Sequence, residues 1–330
     1  MIFRSYCIMV RVIHLVAAIL ILSALAMPAL GDDAIKRELV EQVSEVKLPV
    51  LARYQELSLM HRQILITLQT LPSAQITGNT REWVNIAAGN NGILKKFNSI
   101  NDLASKGDPQ SHKTALADAI RLKSDINSLV GYAQAKDNFI TSYPKTALSH
   151  FFADQGEYFE ALAETEIDTR IMIDYYEHAL TAYREAEDIT KTTYIDLKVK
   201  KLKSEYQFDM EIVNTSSHIG EVKFEQASYG FNHTGNPVAV ATGILSARTA
   251  KRELSTVYEL YLKHGDERAM QIDEQLLEID QIHAELVDLF LKYASGFVVF
   301  FIVVLVCVLS LMFKWTHAVD DTLLGDEVIQ

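Results

Sequence analysis

Residues 294–313 read ASGFVVFFIVVLVCVLSLMF, twenty residues without a charge, and Lys314 and Trp315 follow directly. At a rise of about 1.5 Å per residue the run matches a hydrocarbon core of about 30 Å, and a Lys/Trp pair suits the headgroup boundary. The stretch predicts a transmembrane helix with Lys314 and Trp315 as its interface anchors. Just before it, Ile272, Leu276, Ile279, His283, Leu286 and Phe290 alternate at spacings of four and three, with no Pro or Gly between 267 and 292. That is nearly three heptads. It predicts a stalk helix over 267–292 that continues into the span and packs on the 35–71 helix of its own chain or on its copy in a homodimer. His283 sits in this seam, where an imidazole charges at mild acid, so it is a candidate pH-sensitive position.

A second apolar segment opens the chain, from Cys7 to about Leu30 behind Arg4, with small residues at Ala24, Ala26, Ala29 and Gly31. This is the layout of a signal peptide cleaved after Gly31, the alternative being an uncut signal anchor. Either way residues 32–292 are exported and 314–330 form a cytoplasmic tail. The chain is then single-pass at the cell membrane, or crosses twice if the leader is retained. Seventeen residues are too few for a core, so the tail carries no output domain.

Between the leader and the tail lie 39 acidic and 28 basic residues. A net charge of about −11 argues against nucleic acid or an anionic lipid surface as the partner. Cys7 and Cys307 are the only cysteines, one in each hydrophobic segment. An exported region without cysteine is no disulfide scaffold, and it points to a prokaryotic cell envelope.

The exported region is rich in Ala, Leu, Glu, Lys and Gln, which predicts helix nearly throughout. Apolar residues from Ile35 to Leu68 recur three or four apart, predicting one long amphipathic helix bent at Pro49. Breakers at 77–79, 89–92 and 106–109 separate short helices over 80–88 and 93–104 from a longer one starting at Ser111. Phe151, Phe152, Phe159, Tyr176 and Tyr183 mark 151–203 as the core. Asn214 to Gly243 is expected to be a loop or hairpin, because Gly220, Gly230, Gly235, Pro237 and Gly243 interrupt the helical pattern. Asn214 and Asn232 head Asn-x-Ser/Thr sequons there and are candidate glycosylation sites.

The residues Gly156-Glu157-Tyr158-Phe159-Glu160-Ala161-Leu162 resemble the turn of a tetratricopeptide repeat, and Tyr175 to Leu180 resemble the second helix of such a unit. The resemblance covers about forty residues. It implies a close helix pair in which small Ala and Gly face Tyr. The distance from Gly156 to Ala179 departs from a 34-residue unit, and there is no second copy. In the tail, Asp320-Asp321-Thr322-Leu323-Leu324 resembles an acidic dileucine sorting signal, a setting the cysteine-free region argues against.

No motif names a reaction. A di-metal carboxylate bundle needs Glu-x-x-His on two helices, and the chain offers one Asp280-x-x-His283. Asp174 and His178 share a helix face but make only two ligands. Glu157, Glu160, Glu164 and Glu166 read as a solvated stripe, and Tyr54, Tyr132, Tyr143 and Tyr194 as core edges. No cofactor is implied. The sequence therefore predicts an all-α fold, an extended helical bundle outside the membrane whose juxtamembrane helix continues into a transmembrane helix. The expected role is an envelope scaffold or protein-interaction module that binds another envelope protein and is not an enzyme. The alternatives are a sensor-type bundle signalling through a separate partner and a metal-binding or enzymatic bundle.

Overall fold

A computed structural model of the chain describes residues 32–129 and 139–325. The leader 1–31, Tyr132 and the end of the tail lie outside the described residues. Those described form eleven helices and no strand: α1 Asp32–Ser44, α2 Val50–Arg53, α3 Gln55–Thr70, α4 Ser73–Gly78, α5 Thr80–Ala104, α6 Pro109–Leu129, α7 Phe139–Thr165, α8 Thr169–Glu185, α9 Ile189–Asn232, α10 Pro237–Lys263 and α11 Ala269–Gly325. The chain divides into two compact units, one of Met1–Leu162 with Tyr175–Asp196, the other of Ala163–Asp174 with Leu197–Gln330.

In the first unit, the apolar row expected on one bent helix is present, but the helix is cut. Residues 46–48 leave the helix before Pro49, whose ring disfavours helical backbone at the residue preceding it. Tyr54 is then extended (φ −113°, ψ 107°) between α2 and α3. Leu39, Val43, Leu57, Met60, Ile64 and Leu68 are still buried, because each short helix keeps its own apolar face inward. Lys36 ties α1 to the end of α3 by donating to the carbonyls of Gln69 (2.9 Å) and Leu71 (2.7 Å). A cation at a helix C-terminus meets the unpaired carbonyls there.

The break expected at residues 89–92 does not occur. Gly89, Asn90, Asn91 and Gly92 lie inside α5, which runs for 25 residues. Each glycine costs about 1 kcal/mol against Ala in a helix, and burial of Trp83, Ile93, Leu94, Phe97 and Ile100 offsets more than that. Asn90 is fully buried, and its amide faces His61 Nδ1 on α3 (3.3 Å).

Phe151, Phe152, Phe159, Tyr176 and Tyr183 are buried as expected. Gly156, however, is not in a turn but inside α7, where the Tyr183 ring of α8 crosses it. A Cβ at 156 would lie 2.5 Å from Tyr183 Cε1. The Tyr183 hydroxyl donates to Glu160 Oε2 (2.6 Å), and burial together with that carboxylate raises the phenol's pKa.

The second unit overturns the loop expected over 214–243. Residues 189–232 are one helix of 44 residues, the turn is confined to 233–236, and α10 starts at Pro237. Asn236 caps α10 by accepting from the amides of Val238 and Ala239. The glycines that suggested a loop are contact points between helices. A Cβ on Gly220 would meet Leu254 Cγ at 2.7 Å, and one on Gly230 would meet the Ala239 carbonyl oxygen at 2.6 Å. The heptad face of α11 packs here. Ile279 is buried with Ala227, Ala247, Ala250 and Leu254, and Ile272, Leu276 and Ile282 line the same cluster. Within its unit the stalk's partners are thus α9 and α10.

Beyond this three-helix contact α11 continues without interruption. Every residue from Ser295 to Trp315 is exposed, on all faces of the helix. Among the described residues this is the one helix long and apolar enough to cross a membrane.

Candidate interaction surface

Helix α9 is apolar on two sides. One side carries Val213, Gly220 and Ala227, all buried against α10 and α11. The other carries Leu197 (63% exposed), Phe208 (63%), Ile219 (39%), Val222 (39%) and Tyr229 (60%). At about 100° per residue these five fall within an arc of about 80°, roughly 140° round the helix from the buried side. Spacings of eleven between Leu197, Phe208 and Ile219 keep the row nearly parallel to the helix axis. Single exposed hydrophobics are ordinary, but an aligned row of this length is the kind of patch that marks a contact surface. Lys201, Ser204, Glu211, Thr215 and Gln226 interleave it. Lys198, Lys200, Lys201 and Lys203 lie toward one end, and Glu221 and Glu225 toward the other.

A polar knot fixes the middle of α9. His264, at the C-terminus of α10, points Nε2 at Asp209 Oδ2 (2.9 Å) and Nδ1 at Thr169 Oγ1 (2.9 Å). Lys263 donates to the same Asp209 oxygen (2.5 Å), and the Thr169 amide donates to the His264 carbonyl (3.1 Å). The Lys263 hydrogen bond, reinforced by His264, holds the Asp209 carboxyl below its usual range. Next to it Asp266 takes a bidentate contact from Arg268, which lowers its pKa too. Gly265 turns the chain with φ +63°, and a Cβ there would strike the Ile167 carbonyl at 2.8 Å. A hydroxyl, an imidazole and a carboxylate in a row is the order of a nucleophilic relay. Here Thr169 is 7% exposed and Asp209 7%, so the row clamps helix ends where a relay needs a cleft.

The residues singled out from sequence are dispersed. Asn214 and Asn232 are exposed, but both are on α9 and not in a loop. His283 is half-buried beside the seam, between buried Ile279 and Leu286. Lys314 and Trp315 are exposed at the end of the apolar run. Asp280 accepts two hydrogen bonds from Lys251 (2.6 and 2.7 Å). His178 lies against the Phe159 ring, 5.2 Å between centroids. Among the described residues no group of three or more His, Cys, Asp or Glu side chains is placed to hold a metal ion.

Three carboxylates of the acidic stripe have separate structural tasks, Glu160 and Glu164 on α7 and Glu166 just beyond its end. Glu160 accepts from Tyr183 and Lys191, Glu164 pairs with Lys198, and Glu166 accepts from the amides of Ile167 and Asp168. An open groove of about 470 Å³ lies over Arg53, Tyr54, Glu56, His150 and Asp154. Its charges answer one another. Arg53 donates to Asn101 (2.7 Å) and approaches Asp154 (3.8 Å), and His150 meets Glu56 (3.2 Å). Tyr54 is 5% exposed with its hydroxyl unpaired, and burial pushes its pKa up to about 12.

The surface on α9 was missed by the sequence reading, although the eleven-residue spacing of Leu197, Phe208 and Ile219 was there to signal it. Comparison with protein-family models, with curated proteins and with solved structures finds no match for this chain.

Proposed function

We propose that this chain is a membrane-anchored helical scaffold of the cell envelope that recruits another envelope protein through the outer face of α9. The observation that carries the reading is the row Leu197, Phe208, Ile219 and Val222, exposed on a helix whose opposite side is already packed. Covering such a row returns about 25 cal/mol per Å² of apolar surface to the complex. An amphipathic helix laid along it is the matching partner form. In this reading α11 crosses the bilayer through 294–313, the bundle is outside the cytoplasm and the tail is inside.

The test is crosslinking and capture in the native membrane with a tag on the tail, comparing the unaltered chain with the double variant Phe208→Ser, Ile219→Ser. The reading requires a discrete partner that the variant loses while its helicity by circular dichroism stays the same. A partner captured equally by both chains removes the α9 face from the account.

A further inference from the structure

We infer that the α9–α10 turn sits in the headgroup layer of the bilayer that α11 crosses, a second membrane contact beside the helix. The inference rests on the reading of 294–313 as a span. The Tyr293 hydroxyl donates to the carbonyl of Thr234. Tyr293 immediately precedes Ala294, the first residue of the span, so the turn at 233–236 is tied to the level where the helix enters lipid. The side chains around that turn suit such a depth. Val238 is 71% exposed and Tyr229 60%, and Gly235 and Pro237 are exposed between them. Tyr229 is held by His233, whose ring stacks on it at 3.9 Å. A tyrosine with an apolar body and a polar tip belongs at the boundary of water and acyl chains.

The charge pattern agrees. The 27 residues from Gln226 to Arg252 contain no Asp or Glu, in a chain with 43 of them among 330 residues. Along α9 and α10 carboxylates resume only at Glu253, on the part of α10 farther from the turn, and on α11 the nearest one, Asp288, is paired with Lys292. A tip without acids, exposing Pro237 and Val238 beside the uncharged polar residues Asn232, Thr234 and Asn236 and the imidazole of His233, fits a lipid headgroup layer, in which such surfaces bury about 5–10 Å deep.

The experiment uses the full chain with Cys7→Ser and Cys307→Ser, reconstituted in phosphatidylcholine vesicles and spin-labelled at one new cysteine per sample. The variants are Val238→Cys at the turn, Val303→Cys within the span and Met270→Cys at the start of α11. Met270 is 70% exposed and about 35 Å of helix away from Tyr293. Collision with oxygen, which favours lipid, and with a water-soluble nickel chelate reports depth. The inference predicts that the label at 238 meets the chelate severalfold less often than that at 270, and oxygen more often, at a depth between 270 and 303. If 303 reads as hydrocarbon but 238 matches 270, the turn is in water and the inference is overturned while the span stands. If 238 is shielded from both reagents, protein covers it, and the inference fails in favour of a protein contact. If 303 itself reads as aqueous, the span and the inference fall together.

Discussion

Gly230 on α9 and Gly243 on α10 meet backbone to backbone: a Cβ added to Gly230 would stand 2.9 Å from the Gly243 Cα. Two helices approach this closely only where neither carries a side chain, and Gly243 in turn receives Leu286 of α11 (3.1 Å from its own built Cβ). Gly230→Ala should therefore destabilise the second unit by about 1–3 kcal/mol, because the obstacle is backbone that cannot turn aside. The gain of about 0.5–1 kcal/mol in helix propensity is too small to compensate. Urea unfolding in detergent measures the change.

The opposite sign is expected at Gly89. It lies inside α5 with nothing within 4 Å of a built Cβ. Gly89→Ala should stabilise the first unit by about 0.5–1 kcal/mol. Shifts of the same sign at both positions would contradict the packing account of the glycines.

These positions also explain which parts of the fold were legible in the sequence. The run at 294–313 could be read as a long apolar helix and the seam through Ile279 and Leu286 as a packed face, because each pattern is uninterrupted. Gly220, Gly230 and Gly243 could not, because glycine serves both to break a helix and to let two helices touch, and spacing alone does not separate the uses. Helix α9 was obscured further by being apolar on two faces. Phe208 and Val213 belong to opposite environments, and together they blur the single stripe that marks an amphipathic helix. The Asp209–His264–Thr169 knot joins residues up to 95 apart in sequence, so no local motif announced it.

Removing the centre of that knot should cost the second unit stability and change its acid response. Asp209→Asn loses the charge that Lys263 and His264 address, a loss of about 1.5–3 kcal/mol at neutral pH. The Asp209 and Asp266 carboxyls are both held below their ordinary value of 3.8 in the folded chain. Their contribution is therefore complete above that value, declines as the pH falls through it, and is gone only below the lowered folded values. The unaltered unit should hold its unfolding midpoint from neutral pH to about pH 5 and lose it below about pH 4, with a smaller acid loss in Asp209→Asn. An identical acid loss in both chains would contradict this.

The first unit should respond in a different window. Burial lowers the pKa of His61 from 6.5, with Asn90 opposing the shift through its hydrogen bond. The unfolded chain then takes up its proton first on acidification. Stability is full above pH 6.5 and declines from there down to the lowered folded value. His61→Gln should flatten the slope of first-unit stability below pH 6.5, measured by unfolding at a series of pH values. A slope that survives the substitution would assign it to other groups.

If the outer face of α9 is the surface that meets a partner, photocrosslinking in the native membrane registers that contact residue by residue. A benzophenone amino acid replaces Phe208, Ile219 or Asn214 in turn. Asn214 is also exposed but lies about 100° away from the centre of the row on the same helix. The account predicts one discrete adduct from 208 and 219 and none from 214. No adduct at 208 and 219, or equal adducts at all three, would contradict it.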